Sequence, residues 1–543
     1  MLGSQLVISA LQRRGVTTIF SLSGNQIMPL YDACIDAGIR IVHVRHEAAA
    51  VFMADAWAQI TGEVGVAMLT AGPGITNGIA PLYSAAQAES PVLLISGDSS
   101  IAEDGKGAFQ EMDQTAITSP LTKLSHRPMS AAQLACSVDL AVNTAMAPRR
   151  GPVHIALPFD LLSTESGIDA LPAVPPALES PALEAKSLNM LTELLSNAQR
   201  PLILAGPTWA REHMREARAR LQGALQVPIV AMESPRGLND PSLGTLRELL
   251  AQSDLVVLAG KSLDFTLGFG AGKTFNDNAQ IAVLEPDTRM LERAQSLLGN
   301  RLTLACQVDA LQALSRLTDT QHKPSRKAWL EQAAQAIAVR QVMNPAPAQS
   351  DKLDPRALCE TVQQFLNEAS DPILICDGGE FGQWAQAYCD APIRIINGMS
   401  GAIGAGICYA IAAKIARPQA TVVALMGDGT SGFHFMEFDT AVREQAPFIA
   451  VVGNDLRWNA EHLIQMRTYG ADRLIGCELA DSARYHDASR ALGGTGAAPD
   501  TAARVASALH SAVASQLPTC LNVAIDGRPA PVFSAAKSAA AAH

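Results

Sequence analysis

Three doubly wound α/β domains, each built on a parallel sheet, are the architecture this sequence predicts. Three observations carry that prediction. Short apolar runs alternate with helix-length amphipathic segments almost throughout, and Pro-rich or polar stretches interrupt the pattern twice. At 543 residues the chain is also too long to fold around one core.

The first unit is expected at 1–165. TTIFSL, RIVHV, VGVAMLT, PVLLIS and PVHIAL read as buried strands, and segments such as NQIMPLYDACIDAG and HEAAAVFMADAWAQITG between them read as helices. STESGIDALPAVPPALESPALEA, at about 165–185, reads as a Pro-rich linker. The second unit, 186–325, holds PLILAG, PIVAM, LVVLAG and QIAVLEP. TDTQHKPSRKAW then opens a polar connection that ends near NPAPAQSDKLDP. The third unit, 353–527, contains PILICDGG, ATVVALMGDG, FIAVVGND and TCLNVAI, and an Ala-rich tail is expected at 528–543.

Composition excludes several classes of function. Hydrophobic content of 48% with 17% charged residues is that of a globular protein. A net charge of -11 leaves no basic surplus for a general nucleic-acid or anionic-membrane partner. None of the nine cysteines forms a C-x-x-C pair, so no zinc or redox motif is present, and the scattered set fits a reducing cytosol. MLGSQLVISALQRRG lacks a basic leader and a cleavage site, and GAIGAGICYAIAA is shorter than the roughly 20 apolar residues of a membrane span. A soluble, cytoplasmic protein is expected.

The motif richest in chemistry is GDGTSG at 427–432, directly after the strand-like run ATVVALM. Such a position is the carboxyl end of a buried parallel strand, where open α/β sheets place ligands. The following FHFMEFDTAVREQ has helix spacing, so free N–H groups there suit a phosphate. Asp428 would repel a bare phosphate, which points to an intervening cation such as Mg²⁺. The next strand, PFIAVVGND, ends in Asn454 and Asp455, one strand–helix–strand unit after Asp428. In a parallel sheet both then emerge at one edge, on adjacent strands, where a carboxylate and an amide oxygen can share a metal. A plain turn with Asn454 as a helix cap is the competing reading, weakened by the paired spacing.

These residues resemble the signature of thiamine-diphosphate (ThDP) enzymes, and the likeness extends over almost the whole chain. It is strongest to the acetolactate synthase, benzaldehyde lyase and 2-hydroxyacyl-CoA lyase group. The resemblance implies a pyrimidine-binding domain, a middle domain and a diphosphate-binding domain, in that order. It implies ThDP and Mg²⁺ as cofactors, with Asp428, Asn454 and the Leu456 carbonyl on the metal. Segments around Gly378, Gly379, Gly429 and Thr430 would touch the diphosphate. VRHEAAAVFMADAWA supplies Glu47, matching the acid that stabilises the imino form of the cofactor's aminopyrimidine; an ordinary acid at a helix N-terminus is its bland alternative. Pro73, in TAGPGITNG, matches the loop that lies against the cofactor, and Ile403, in INGMSGAIGAG, matches the bulky side chain beneath it. A homodimer at least, and a homotetramer as the fuller expectation, follows from the family's active sites between chains.

The resemblance also bears on the reaction. Relatives of pyruvate decarboxylase carry adjacent histidines in the first domain, but ISGDSSIAEDGKGAFQEMDQ has none. Gln110, in AFQE, matches the glutamine of acetolactate synthases and benzaldehyde lyase, implying carboligation or lysis of 2-oxo acids and aldehydes. FSLSGNQIMPLY makes Asn25 and Gln26 candidate substrate contacts, although benzaldehyde lyase has a histidine in place of Gln26. Alternatives are a 2-hydroxyacyl-CoA lyase or benzaldehyde lyase-type enzyme and, in a different class, a non-catalytic homologue. GGEFGQW places an acid, Glu380, near the expected diphosphate, which requires it to turn away. GFGAGKTFND approaches a Walker A loop, but Leu267 occupies the first glycine position. FAD or ADP in the middle domain is possible within the family, but no residues here demand either.

Overall fold

The computed structural model describes residues 1–318, 325–338 and 352–531. Most of the expected tail, and much of the second connection including NPAPAQ, lie outside these residues.

Three all-parallel sheets form. The first contains β1 (Thr18–Ser21), β2 (Arg40–His43), β3 (Gly65–Leu69), β4 (Val92–Asp98), β5 (Ser125–His126) and β6 (Val153–Pro158), in the order β2-β1-β3-β4-β6-β5. The second contains β7 (Pro201–Ala205), β8 (Ile229–Ala231), β9 (Leu255–Ala259), β10 (Gln280–Leu284) and β11 (Leu302–Cys306), in the order β11-β10-β9-β7-β8. The third contains β12 (Pro372–Cys376), β13 (Ile393–Ile396), β14 (Thr421–Gly427), β15 (Ile449–Asn454), β16 (Thr495–Ala497) and β17 (Thr519–Ala524), in the order β13-β12-β14-β15-β17-β16. The first and third sheets therefore share one topology. Their central strands are buried on both faces, which explains why they read as unbroken apolar runs rather than alternating ones.

By packing the chain forms two units rather than three. Met1–Met146, Arg150–Leu178 and Ala346–Ala530 make one, so the first and third sheets share a compact body. The joint is the helix Glu47–Thr61 against the helix Gly406–Ala416, both rich in alanine, which lets the backbones approach closely. One polar link crosses it: the Tyr409 hydroxyl donates to the buried Asp55 carboxylate at 2.7 Å, and Asp55 also accepts from Gln59.

The other unit is built on the second sheet and includes Glu179–Pro345. It contains an element that the polar reading of TDTQHKPSRKAW did not anticipate, the helix Lys327–Ala338. Trp329 and Ala333 bury its apolar face, and the Trp329 indole donates to the Pro201 carbonyl at 2.7 Å. The buried Arg326 guanidinium donates to the carbonyls of Leu195, Ala198 and Leu225, capping the end of the helix Ala185–Asn197. The middle domain thus runs past the expected 325 to at least 338. Three charged side chains around one apolar stripe hid it.

No described helix is long and apolar enough to cross a membrane. Of the nine cysteines all but Cys136 are buried.

Candidate active site

At the carboxyl edge of the third sheet, Gly427 on β14 pairs with Gly453 on β15. The next residues, Asp428 and Asn454, therefore leave neighbouring strands at the same level, as the spacing predicts. Asp428 is 2% exposed; one carboxylate oxygen accepts the Gly429 N–H at 3.0 Å, while Oδ2 is buried without a hydrogen-bond partner. Asn454 donates through Nδ2 to Asn522 at 3.0 Å, which fixes its amide, and Oδ1 accepts the Leu456 N–H at 3.1 Å. Leu456 sits at φ +65, a conformation that a branched side chain rarely adopts and that marks a strained, functional turn. Its carbonyl accepts the Leu479 N–H at 2.8 Å and keeps a second lone pair.

The electrostatics of this edge call for a cation. Burial pushes the Asp428 carboxyl up to about 6, against weaker lowering by backbone N–H groups. Burial, and then the charge of Asp428, push Asp455 up to about 7, with Arg457 and Lys352 opposing. Both polar atoms of the buried Asn459 amide also lack partners. Orphaned buried polar atoms beside two buried carboxyls with raised pKa values are a setting that suits a divalent ion. No described cluster of three His, Cys, Asp or Glu groups has metal-holding geometry. The set of one carboxylate, one amide and one carbonyl is of another kind, and its residues fit the ion.

Beside Asp428 and Asn454 lies a glycine-lined cradle. A Cβ on Gly378 would meet Ile403 Cγ2 at 2.2 Å, one on Gly429 would meet the Trp458 ring at 2.7 Å, and Gly379 takes φ +72. The Ile403 loop is pinned by Asp377, whose buried carboxylate accepts N–H bonds from Gly378, Gly404 and Gly406 at 2.7, 3.0 and 2.8 Å. Burial raises Asp377 to about 6 despite these bonds. The Thr430 hydroxyl donates to the Gly427 carbonyl at 3.0 Å and tightens the turn. Glu380 does turn away: its carboxylate accepts the Ala530 N–H.

On the first sheet, Glu47 opens the helix Glu47–Thr61, capped by the His46 imidazole accepting the Ala48 N–H at 3.1 Å. Asn77, at the end of the short helix Pro73–Asn77, donates to the Glu47 carboxylate at 3.0 Å. Gln110 stands against Gly72, where an added Cβ would lie 2.9 Å from its own. Gln110 is held at φ +62, and its buried Oε1 has no partner. Gln26 is buried and accepts the Thr70 hydroxyl at 2.6 Å, so part of its amide is committed to packing, whereas Asn25 is exposed.

The structure thus gathers Glu47, Pro73, Gln110 and Gln26 at the edge of the first sheet. Asp428, Asn454, Leu456, Ile403, Gly378, Gly379, Gly429 and Thr430 gather at that of the third. Among the described residues no hydrogen bond joins Glu47 to the metal residues. The sequence reading missed Asn77, Asp377 and Trp458. Asn77 lay inside the quoted TAGPGITNG, while nothing in sequence marks Asp377 as a loop anchor.

Comparison with known proteins places this geometry. Residues 1–117 match the thiamine pyrophosphate enzyme N-terminal TPP binding domain, 188–317 the central domain and 377–523 the C-terminal TPP binding domain. The chain is 33% identical to the acetolactate synthase large subunit IlvG of Mycobacterium tuberculosis over 542 residues, covering 97% of this chain and 96% of that one. It is 31% identical to 2-hydroxyacyl-CoA lyase 2 of Homo sapiens over 552 residues, covering 91% and 84%. Among solved structures, the thiamine diphosphate-dependent 4-hydroxybenzoylformate decarboxylase of Rhodococcus jostii RHA1 superposes with a TM-score of 0.81 at 22% identity, covering 97% of this chain and 99% of that one. That last likeness shows the fold.

Proposed function

The chain belongs to the thiamine pyrophosphate enzyme family, and we propose that it is a Mg²⁺-dependent carboligase or lyase of acetolactate synthase-like type. Its substrates are small 2-oxo acids or aldehydes, and it makes or breaks the C–C bond next to the carbonyl. When bound, the cofactor supplies a thiazolium carbon that adds to a carbonyl and accepts the electron pair of the breaking bond.

The chain's own residues divide the remaining work. Asp428, Asn454 and the Leu456 carbonyl would hold Mg²⁺, which neutralises the two carboxylates buried there. Gly378, Gly379, Gly429 and Thr430 would line the diphosphate, and Ile403 would support the rings. Glu47 would present its carboxyl to a ring nitrogen of the cofactor, and Asn77 fixes that carboxyl's direction. The observation that carries the choice of reaction is Gln110. A neutral amide with an unpartnered buried oxygen, held at positive φ beside Gly72, orients a substrate oxygen without donating a proton as a strong acid would. That favours joining or cleaving carbon skeletons over simple aldehyde release. Glu47 and the metal residues lie on separate sheets, which supports a site completed by a second copy and hence a homodimer or homotetramer. A cytoplasmic setting is part of this reading, supported by cysteines scattered without a C-x-x-C pair.

The test is to load the purified protein with ThDP and Mg²⁺ and screen pyruvate, benzoin and a 2-hydroxyacyl-CoA by mass spectrometry. A new C–C bond from pyruvate supports the acetolactate synthase-like reading. Cleavage confined to the third substrate, at its C1–C2 bond with the thioester left intact, would replace it with the lyase reading that the 31% relatives favour. Glu47→Gln should lower turnover by about 10²–10⁴-fold, the usual worth of a positioned acid–base group, with ThDP affinity retained. Absence of Mg²⁺-dependent ThDP binding in calorimetry would leave only a non-catalytic scaffold.

A further inference from the structure

Glu437 belongs to the third sheet, on the turn Phe435–Glu437 that leads out of the GDGTSG loop, yet its carboxylate serves the first sheet. Its Oε1 accepts the N–H groups of Arg45 and His46 at 2.9 and 3.1 Å. Oε2 takes a second contact from the Arg45 N–H at 3.2 Å and the Thr440 hydroxyl at 2.5 Å. The residue is 1% exposed. Arg45 and His46 form the turn between β2 and the helix that starts at Glu47. The short helix Phe438–Arg443 grips the same turn, because Arg443 donates to the His43 carbonyl at 2.6 Å.

Two free N–H groups before a helix are ordinarily met by water or by a nearby Ser, Thr, Asp or Asn. Here they are met by a carboxylate about 390 residues away in sequence, buried at a cost that only its full set of donors offsets. Holding the two sheets together does not require it, since the Glu47–Thr61 and Gly406–Ala416 helices and the Tyr409–Asp55 bond already do so. What the long-range carboxylate adds is position. It fixes the peptide groups immediately before Glu47 against the frame that carries Asp428, nine residues upstream of itself.

We propose that Glu437 is a positioning residue for Glu47, setting the direction from which that carboxyl meets the cofactor ring nitrogen. This rests on the reading of Glu47 given above. The requirement is for an acceptor at the Oε1 position rather than for negative charge. Glu437→Gln keeps that acceptor and turns an N–H toward Thr440, whose hydroxyl can accept. Glu437→Asp keeps the charge but falls one carbon short.

Hydrogen–deuterium exchange of the peptide spanning 43–48 in the cofactor-free protein reads the latch directly. The rate at which bound ThDP exchanges its thiazolium C2 proton with deuterium, measured with Mg²⁺ present, reads its consequence without needing a substrate. In Glu437→Asp and Glu437→Ala, the Arg45 and His46 amides should exchange at least tenfold faster. C2 exchange should slow at least tenfold, while the ThDP Kd stays within threefold. Glu437→Gln should recover most of both losses, and Tyr409→Phe, which weakens the joint alone, should leave C2 exchange unchanged. Should Glu437→Ala fail to fold, the Asp and Gln variants decide, and an Asp variant equal to or better than Gln overturns the proposal. Normal C2 exchange in both Asp and Ala variants also overturns it, provided Glu47→Gln slows that exchange. If Glu47→Gln itself leaves the exchange unchanged, the assignment of Glu47 fails as well, and the amide protection then reports only a structural latch.

Discussion

Asp428→Asn is expected to make the cofactor-free protein more stable. The folded chain holds the Asp428 proton up to about pH 6, whereas an exposed aspartate gives it up near 3.8. Between those values the folded state binds more protons than the unfolded one, so stability falls as pH rises. Above pH 6 the full cost of about 3 kcal/mol is present, because the group is 2% exposed and little screened. The asparagine keeps an oxygen for the Gly429 N–H and places N–H donors where Oδ2 is orphaned, toward the acidic Asp455. Urea unfolding of the cofactor-free proteins at pH 7.5 should therefore show the variant more stable by about 1–3 kcal/mol, the upper figure being the whole pKa cost. The advantage should shrink toward pH 4. Mg²⁺ with ThDP should raise the unfolding midpoint of the native chain and leave the variant's unchanged. A variant less stable at pH 7.5, or an advantage independent of pH, would refute the claim that this carboxylate is strained in the absence of an ion.

Two further outcomes follow from the packing. Tyr409→Phe removes a donor from the fully buried Asp55 carboxylate and should cost about 1–3 kcal/mol, read as a lower urea midpoint of the unit containing both sheets; an unchanged midpoint would mean that water or Gln59 takes over. Gly378→Ala puts a Cβ 2.2 Å from Ile403 Cγ2, so the Ile403 side chain must move. Calorimetry should show ThDP binding weakened at least about tenfold, or about 1.4 kcal/mol, and native affinity in that variant would detach Ile403 from the cofactor.

How much of this was readable in the sequence depends on the range of the interaction concerned. Asp428 and Asn454 were paired correctly because a parallel strand–helix–strand unit converts sequence spacing into a shared sheet edge, and the Gly427–Gly453 register does so here. The central strands were readable because burial on both faces leaves an unbroken apolar run. The helix Lys327–Ala338 was not, since its apolar stripe is narrow and its anchor is Arg326, a residue type that composition assigns to solvent. Glu437, Asp377 and Tyr409 were invisible for a different reason. Each bonds a partner brought near by tertiary structure, and periodicity reports which face of an element is buried, not whose N–H or carboxylate waits there.

The buried acids of the third sheet separate by their bonding. Asp377 and Glu437 each accept hydrogen bonds from three donors within the chain, which hold a loop or a turn in place although burial still raises both carboxyls. Asp428 and Asp455 differ: Asp428 has an oxygen without a partner, and its charge pushes Asp455 further up. A chain of net charge -11 has no shortage of acids to place on its surface, so burying two of them side by side with their carboxyls raised is a cost that folding alone does not explain. A divalent ion held by Asp428, as proposed above, would relieve both penalties at once. On that proposal, part of the strain held in these carboxylates would be recovered as affinity for the ion.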